Sequence, residues 1–295
     1  MRGLIKDLKK SGCEILPGFP MSSYTAMKVG GEAEVIVYPQ TQPALLRALK
    51  ALSLQSVPFT VLGGGTNTIV RDGGFEGAVV STCRLKDFEI FPGGVVSADC
   101  GASLAAVMNG TARMGFSGLE FAAGIPGTVG GAVFMNAGAN GGEMAQAVES
   151  VAVWHDGCVR ELRADELDSG YRRGGIPSGA VVLSARLRLH PGNSTESVSA
   201  IRESLRLRKA TQPVSEANTG SIFKNPPQIK AGRLLEELGM KSFSVGSAEF
   251  SPVHANFIVN KGGAKTSDVL ELISIARDKA LRERGIDLET EVCVI

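Results

Sequence analysis

Residues 119–142 read LEFAAGIPGTVGGAVFMNAGANGG, and no charged side chain falls between Glu120 and Glu143. The stretch is long enough to cross a bilayer. Its composition opposes that, because residues 121–142 hold seven Gly, one Pro and two Asn. Such a segment gains little from lipid, and its turn-prone backbone would leave polar groups unpaired there. A buried helix is also disfavoured, since each interior Gly costs about 0.5–1 kcal/mol against Ala. The expectation is backbone that turns tightly or lies close to a partner.

The rest of the chain narrows what that partner is. With 295 residues, 43% hydrophobic and 21% charged, it has the make-up of a soluble globular protein of two or three packed units. A formal net charge of +1, without a dense Lys/Arg block, argues against nucleic acid as the main partner. Cys13, Cys83, Cys100, Cys158 and Cys293 are odd in number and lack C-x-x-C spacing, which fits reduced thiols in a cytoplasmic protein. His155, His190 and His254 show no ligand spacing, so no metal is expected. At the N-terminus, Leu4, Ile5 and Leu8 fit a short amphipathic helix rather than a signal peptide.

Periodicity predicts a β-α-β unit near the start: strand 32–38, a helix over 41–53 capped by Thr41, and strand 59–62. From Ala78 to about His190 short strands dominate, interrupted by a helix near 103–114 and by the glycine stretch. A basic helix over 195–211, a Leu-rich helix closed by Gly239, strand HANFIVN, a long amphipathic helix and strand LETEVCVI complete the chain. The class is α+β, divided as 1–78, 79–194 and 195–295.

A second glycine loop, Gly63-Gly64-Gly65-Thr66-Asn67, exposes consecutive backbone amides and suits phosphate oxygens, or forms a plain turn. It is not a Walker A loop, lacking Gly-Lys-Ser/Thr. Nor is it a Rossmann fingerprint, because Thr68 stands where the third Gly belongs. Two Gly-rich segments, the other with Gly124, Gly127, Gly130, Gly131 and Gly138, fit an extended ligand such as FAD lying across both.

Ser221-Ile222-Phe223-Lys224 matches S-x-x-K, but Pro226-Pro227 stops any helix and no S-D-N follows, so acyl-serine chemistry is set aside. The loop TGSIFKNPP presents a hydroxyl, an ammonium and an amide together, or is a capped turn. Tyr171-Arg172-Arg173 is a solvated corner or a guanidinium fork for a carboxylate. Strand alternation puts Glu289, Glu291 and Cys293 on one face.

Taken together, TAMKVGG, VLGGGTNTIVRDGGFEG, GLEFAAGIPGTVGGAVFMNAGANGGE, YRRG, RKATQP, TGSIFKNP, HANFIVN and LETEV resemble, in order, the UDP-N-acetylenolpyruvoylglucosamine reductase family. The resemblance covers about Tyr24 to Ile295 and implies a two-subdomain FAD-binding fold of the vanillyl-alcohol-oxidase/PCMH type with a C-terminal α/β substrate domain. It implies non-covalent FAD held by Gly63, Gly64, Gly65, Thr66, Asn67, Gly124, Ile125, Pro126, Gly127, Thr128, Gly130, Gly131, Asn136, Ala137 and Gly138. It also implies a ping-pong reaction. NADPH reduces the flavin, and UDP-N-acetylglucosamine enolpyruvate then accepts hydride and a proton to give UDP-N-acetylmuramate, a peptidoglycan precursor. Ser221 would be the proton donor, Arg172 and Glu291 would stabilise the enolic carboxylate, and Tyr171, Lys224 and Asn225 would contact substrate. A cytoplasmic monomer or weak oligomer is expected, without membrane insertion.

Phe134 and Asn140 stand where the family commonly has Tyr, so hydroxyl contacts there are lost. YRRG is followed by a short segment, as in the subgroup without the long inserted loop. The alternative is another FAD-dependent oxidoreductase of the same fold acting on a hydroxy acid or sugar. Such enzymes often hold FAD covalently through His or Cys, and no His lies in either glycine loop. The co-occurrence of Arg172, Ser221 and Glu291 argues against a non-catalytic nucleotide-binding module.

Overall fold

The computed structural model describes residues 8–295. Along the chain run β1 (Cys13–Pro20), β2 (Glu32–Pro39), helix α1 (Gln42–Leu54), β3 (Phe59–Leu62), β4 (Thr68–Ile69), β5 (Phe75–Ser81), β6 (Phe88–Phe91) and β7 (Val95–Asp99). Next are α2 (Leu104–Arg113), β8 (Phe116–Ser117), α3 (Val129–Phe134), β9 (Gly138–Ala139) and β10 (Gly142–Glu143). Then come β11 (Val148–His155), β12 (Cys158–Arg163), β13 (Val181–Arg188), β14 (His190–Pro191) and α4 (Ser194–Thr211). The remainder is α5 (Ala231–Glu237), β15 (Ser244–Val245), β16 (Ala248–Phe250), β17 (Ile258–Asn260), α6 (Thr266–Arg284) and β18 (Cys293–Val294). Of the N-terminal helix, Leu4 and Ile5 lie outside the described residues, while Leu8 is buried.

Packing divides the chain into two units. Unit 1 comprises the chain up to Pro17, Val35–Gly64 and Gly77–Arg206. Unit 2 comprises Gly18–Glu34, Gly65–Glu76 and Leu207–Ile295. The expected division at 78 and 194 runs in chain order, whereas these two units interleave along the chain. Met27, Val29 and Ile69 are buried in the same core as Leu234, Leu272 and Val292, whereas Val35, Val37 and Leu45 share a core with Val96, Leu104 and Val151.

In unit 1 a four-stranded sheet has the order β1-β2-β5-β3, with β3 and β5 parallel and Phe59 opposite Ala78. The β-α-β unit is present, but β5 lies between its two strands. Helix α1 starts where Thr41 Oγ1 accepts from Ala44 N at 3.3 Å and buries Leu45, Leu49 and Leu52. Each such leucine contributes roughly 1.5–3 kcal/mol. The second sheet is antiparallel, ordered β12-β11-β13-β7-β6. Helix α2 begins at the Ser103 cap.

Unit 2 packs α5 and α6 with the antiparallel sheet β15-β16-β17. Val269, Leu272, Ile273 and Ala276 form the expected buried stripe of α6, and Gly285 ends it at φ 65°. At the other end, Asp72 oxygens accept from Thr266 N at 2.8 Å and Ser267 N at 2.9 Å. Burial opposes ionisation of Asp72, but the hydrogen bonds from Ser267 and Thr266 outweigh it and hold the carboxyl below its ordinary range. Two expected strands are shorter than read. Only Ile258–Asn260 of HANFIVN pairs as a strand, and the C-terminal strand is Cys293–Val294, parallel to β4.

Candidate active site

In unit 1 the uncharged stretch is a succession of short pieces. A 3-10 turn at Glu120–Ala122 leads to Gly124 and Gly127, which adopt φ 80° and 112°, and then to α3. The expectation that excluded a helix is corrected here: Val129–Phe134 is helical despite Gly130 and Gly131. Tertiary packing overrides propensity. Gly130 N donates to Cys100 O at 2.8 Å, and a Cβ on Gly130 would come within 2.7 Å of Cys100 Cβ. Burial pushes the Cys100 thiol up to about 12, so it is an inert wall. Among the described residues no helix is long and apolar enough to cross a membrane.

Several expected cofactor residues turn out to be committed to the protein. Thr128 Oγ1 caps Gly131 N at 3.3 Å. Gly138 would collide with Gly142 O at 2.7 Å if it carried a Cβ. Asn136 is buried at φ 43°; its Nδ2 donates to Gly170 O at 2.9 Å and its Oδ1 accepts from Ala145 N at 2.9 Å. Ile125 and Ala137 are partly buried against the core. In contrast, Gly64, Pro126 and Gly131 are exposed. The two glycine loops touch, since a Cβ on Gly63 would overlap Thr128 Oγ1.

The two departures also find places. Phe134 is exposed at the end of α3. Asn140 and Gly141, at φ 51° and 85°, form a two-residue turn between the paired residues Ala139 and Gly142. That is a type I′ hairpin, for which Asn-Gly is the favoured pair. Asn140 Nδ2 also donates to Phe121 O at 3.2 Å.

Gly170 and Arg173 exchange backbone hydrogen bonds of 2.8 and 2.9 Å, which leaves Tyr171 and Arg172 at the tip of a tight turn. Arg172 has φ 56°, a left-handed conformation that costs an L-residue about 1–2 kcal/mol. Its guanidinium lies 5.0 Å from the centre of the Tyr171 ring. Arg173 pairs with Asp168 at 2.9 Å. Gly174 N anchors the turn on Phe134 O at 3.0 Å.

Unit 2 gathers the other residues. Gly65, at φ 64°, accepts from Ala26 N at 3.0 Å and lies against Tyr24, so it is fixed by packing. Beyond Thr66, Asn67 Nδ2 donates to Glu291 O at 3.2 Å, and Cys293 N donates to Asn67 O at 3.0 Å. Glu291 N in turn donates to Ile222 O at 2.8 Å. The structure thus brings Asn67, Glu291 and the Ser221 segment onto one backbone network. Ile222 and Phe223 are buried, while Ser221 and Glu291 are half-buried.

Lys224 Nζ pairs with the Glu289 carboxylate, and Lys224 N donates to Glu289 O at 2.9 Å. Asn225 Oδ1 accepts from Ala231 N at 2.9 Å and so caps α5. Sequence reasoning missed Asn256, which is buried and bonded to both the N–H and C=O of Phe223 at 3.0 and 2.8 Å. The signal was an amide beside an aliphatic strand, since a buried amide must find partners.

The family described as UDP-N-acetylenolpyruvoylglucosamine reductase, C-terminal domain, matches residues 212–295, and the FAD binding domain family matches 33–161. UDP-N-acetylenolpyruvoylglucosamine reductase of Lactobacillus acidophilus is 40% identical over 291 residues, covering 98% of this chain and 97% of that protein. The Rubrobacter xylanophilus protein of the same name is 42% identical over 278 residues, covering 94% and 93%. The crystal structure of UDP-N-acetylenolpyruvylglucosamine reductase from Thermus caldophilus aligns with a TM-score of 0.82 at 38% identity, covering 96% of this chain and 98% of that one. Berberine bridge enzyme from Eschscholzia californica aligns with a TM-score of 0.50 at 13% identity, covering 77% and 53%, a likeness of fold alone. The expected α+β fold of the vanillyl-alcohol-oxidase/PCMH type is therefore the fold of this chain.

Proposed function

This chain belongs to the UDP-N-acetylenolpyruvoylglucosamine reductase family, and on that premise we propose that it reduces UDP-N-acetylglucosamine enolpyruvate to UDP-N-acetylmuramate, using NADPH and non-covalent FAD. The observation that carries the reading is the 2.8 Å bond from Glu291 N to Ile222 O. It holds a carboxylate and the Ser221 hydroxyl on adjacent segments of one rigid network.

The residues fit the cofactor. Neither glycine loop carries a carboxylate, and that of Glu120, just before the second loop, is occupied by Gly118 N at 2.7 Å and Ser197 Oγ at 2.5 Å. An anionic pyrophosphate would therefore meet neutral backbone. The exposed positions Gly64, Pro126 and Gly131, with Gly63, Gly124, Gly127 and Thr66, are the ones we assign to it. FAD, when bound, supplies the hydride that NADPH provides and the enolpyruvyl carbon receives.

The chain's own residues handle charge and proton. Ser221 Oγ delivers the proton to the carbon that bears the substrate carboxylate. A hydroxyl is a weak acid, yet it suffices toward a strongly basic carbon when held in place. Arg172 meets the negative charge that builds on that carboxylate, and a guanidinium pre-set on a strained turn needs little reorganisation to do so. Glu291 is compatible with a neighbouring carboxylate when a proton is shared or Arg172 shields it. Tyr171, Lys224 and Asn225 are assigned to the sugar nucleotide. The odd number of cysteines, without C-x-x-C spacing, supports a reducing, cytoplasmic setting.

The test is the visible spectrum of the purified protein without air. A yellow protein should bleach with NADPH and recover its colour with the enolpyruvyl sugar nucleotide. A protein that stays colourless after incubation with FAD would sink the assignment.

A further inference from the structure

We propose that Asn256 is a positioning residue for the proton donor: its buried side chain holds the backbone of Phe223 and thereby sets where Ser221 Oγ stands. The inference rests on the role given to Ser221 above. Asn256 has 3% of its surface exposed and binds three groups of the Ile222–Phe223 segment. Its backbone carbonyl accepts from Ile222 N at 2.8 Å, its Oδ1 accepts from Phe223 N at 3.0 Å, and its Nδ2 donates to Phe223 O at 2.8 Å.

An asparagine is required by the local chain path. Phe257 N donates to His254 O at 3.0 Å, so residues 254–257 turn. Ser221 and Phe257 form an antiparallel bridge, so the residue that would face Phe223 is Ala255, which lies inside this turn. The side-chain amide has the acceptor and donor of a peptide group and continues the ladder in its place. No other residue of this size offers both. His254 Nδ1 accepts from Asn256 N at 3.2 Å and fixes the turn.

On the opposite edge of the Ser221 segment, Glu291 N bonds Ile222 O. The segment is thus clamped from both sides, by Asn256 and by Glu291. Phe223 is 1% exposed, so water cannot readily replace the amide. Releasing one clamp lets Ser221 drift relative to Glu291, and small displacements of a reacting group cost up to about 10²-fold in rate.

The test compares the wild-type holoenzyme with Asn256→Asp, which is near-isosteric but lacks the Nδ2 donor, and with Asn256→Ala. Bleaching by NADPH should proceed at the wild-type rate in both. Recovery of colour with the enolpyruvyl sugar nucleotide should slow about 10–100-fold at unchanged KM. The solvent deuterium isotope effect on recovery should rise, because proton transfer becomes the slow step. Amide hydrogen exchange at Phe223 should accelerate in both variants, with or without flavin.

Recovery at the wild-type rate, equal slowing of both half-reactions, or unchanged exchange at Phe223 would each overturn the positioning role. If Asn256→Ala does not fold, Asn256→Asp decides alone. Loss of flavin from Asn256→Asp also overturns the inference, since the residue would then be holding the fold. A wild-type enzyme that bleaches but never recovers with the enolpyruvyl sugar nucleotide overturns the proposed substrate, and this inference with it.

Discussion

Between Gly124 and Gly142 the chain of unit 1 takes its shape by leaving side chains out; between Asn218 and Asn260 the chain of unit 2 takes its shape by putting amides in. Gly130, Gly138 and Gly142 sit where a Cβ would press on Cys100, Gly142 O and Phe121 at 2.7, 2.7 and 2.8 Å. In unit 2, Asn218 accepts from Gly220 N at 2.8 Å, Asn225 caps α5, Asn256 holds Phe223, and Asn260 Oδ1 accepts from Gly262 N and Ala264 N at 2.8 and 3.1 Å. A glycine lost to a larger residue fails by collision and is felt by the whole fold. An amide lost from a network leaves the fold standing and blurs the placement of one segment. Unit 1 should therefore be intolerant in stability, and unit 2 in activity.

The largest expected effect lies in unit 2. Ser221→Ala should lower turnover of the enolpyruvyl substrate by about 10²–10⁴-fold, the range for a general acid, while NADPH still bleaches the flavin. Stopped-flow traces of the two half-reactions separate these outcomes. Near-wild-type steady-state turnover would remove Ser221 from the chemistry.

In unit 1 a pair of glycines sharpens the contrast. A Cβ on buried Gly174 would overlap Val133 O and lie 2.7 Å from Phe134 O, which is backbone that cannot step aside. Gly174→Ala should destabilise by about 3 kcal/mol, at the upper end of overpacking costs. Gly131 is also in the uncharged stretch, but its Cβ would meet nothing nearer than Thr128 Oγ1 at 3.5 Å. Gly131→Ala should leave stability unchanged or raise it by about 0.5–1 kcal/mol, as expected for a helix interior. Thermal unfolding of the apo proteins measures both. If Gly131→Ala keeps its stability and yet loses flavin, its bare backbone serves the cofactor and not the fold.

This contrast also explains what could be read in the sequence. Thr41 and the stripe Val269, Leu272, Ile273, Ala276 are local signals, and helices α1 and α6 stand where they indicate. Glycine spacing marked the irregular stretch correctly as close-packed backbone. It also hid α3, because the packing on Cys100 that stabilises this helix comes from 30 residues away. HANFIVN and LETEVCVI looked like strands by alternation, but their irregular parts are defined by side-chain and backbone bonds to Phe223 and Ile222. Asparagines that replace a strand partner carry no periodic mark. The left-handed Arg172 was equally invisible, since nothing in YRRG distinguishes a strained turn from a solvated one.

Asp72 tests whether unit 2 is held as firmly as unit 1 where the cap is a carboxylate. Asp72→Ala should cost about 0.5–2 kcal/mol at pH 7, as for loss of a helix cap. Its carboxyl is held below the ordinary value, so its contribution is present above the unfolded-state pKa of about 4 and is lost as pH falls through the lowered native value. Urea unfolding of the two proteins should differ at pH 7 and converge in acid, below the lowered native value. A gap that persists in acid would mean that Asp72 acts through shape and not through charge.

A further small effect concerns the place in unit 1 where a left-handed backbone carries a long side chain proposed for chemistry. Arg172→Gly and Arg172→Ala both remove the guanidinium and its contact with Tyr171, so both should lose turnover alike. They differ in what φ 56° costs them. Glycine adopts that conformation freely, whereas alanine inherits the strain that arginine bears. The glycine variant should therefore be the more stable of the two by about 1 kcal/mol, read from denaturant midpoints at equal slopes. Equal midpoints would show that the turn relaxes when the arginine goes, and that Arg172 itself, through its own contacts, imposes the left-handed backbone. A more stable glycine variant would mean that the Gly170–Arg173 bridge imposes the strain and the chain retains arginine there against it, which is the pattern expected of a residue kept for function.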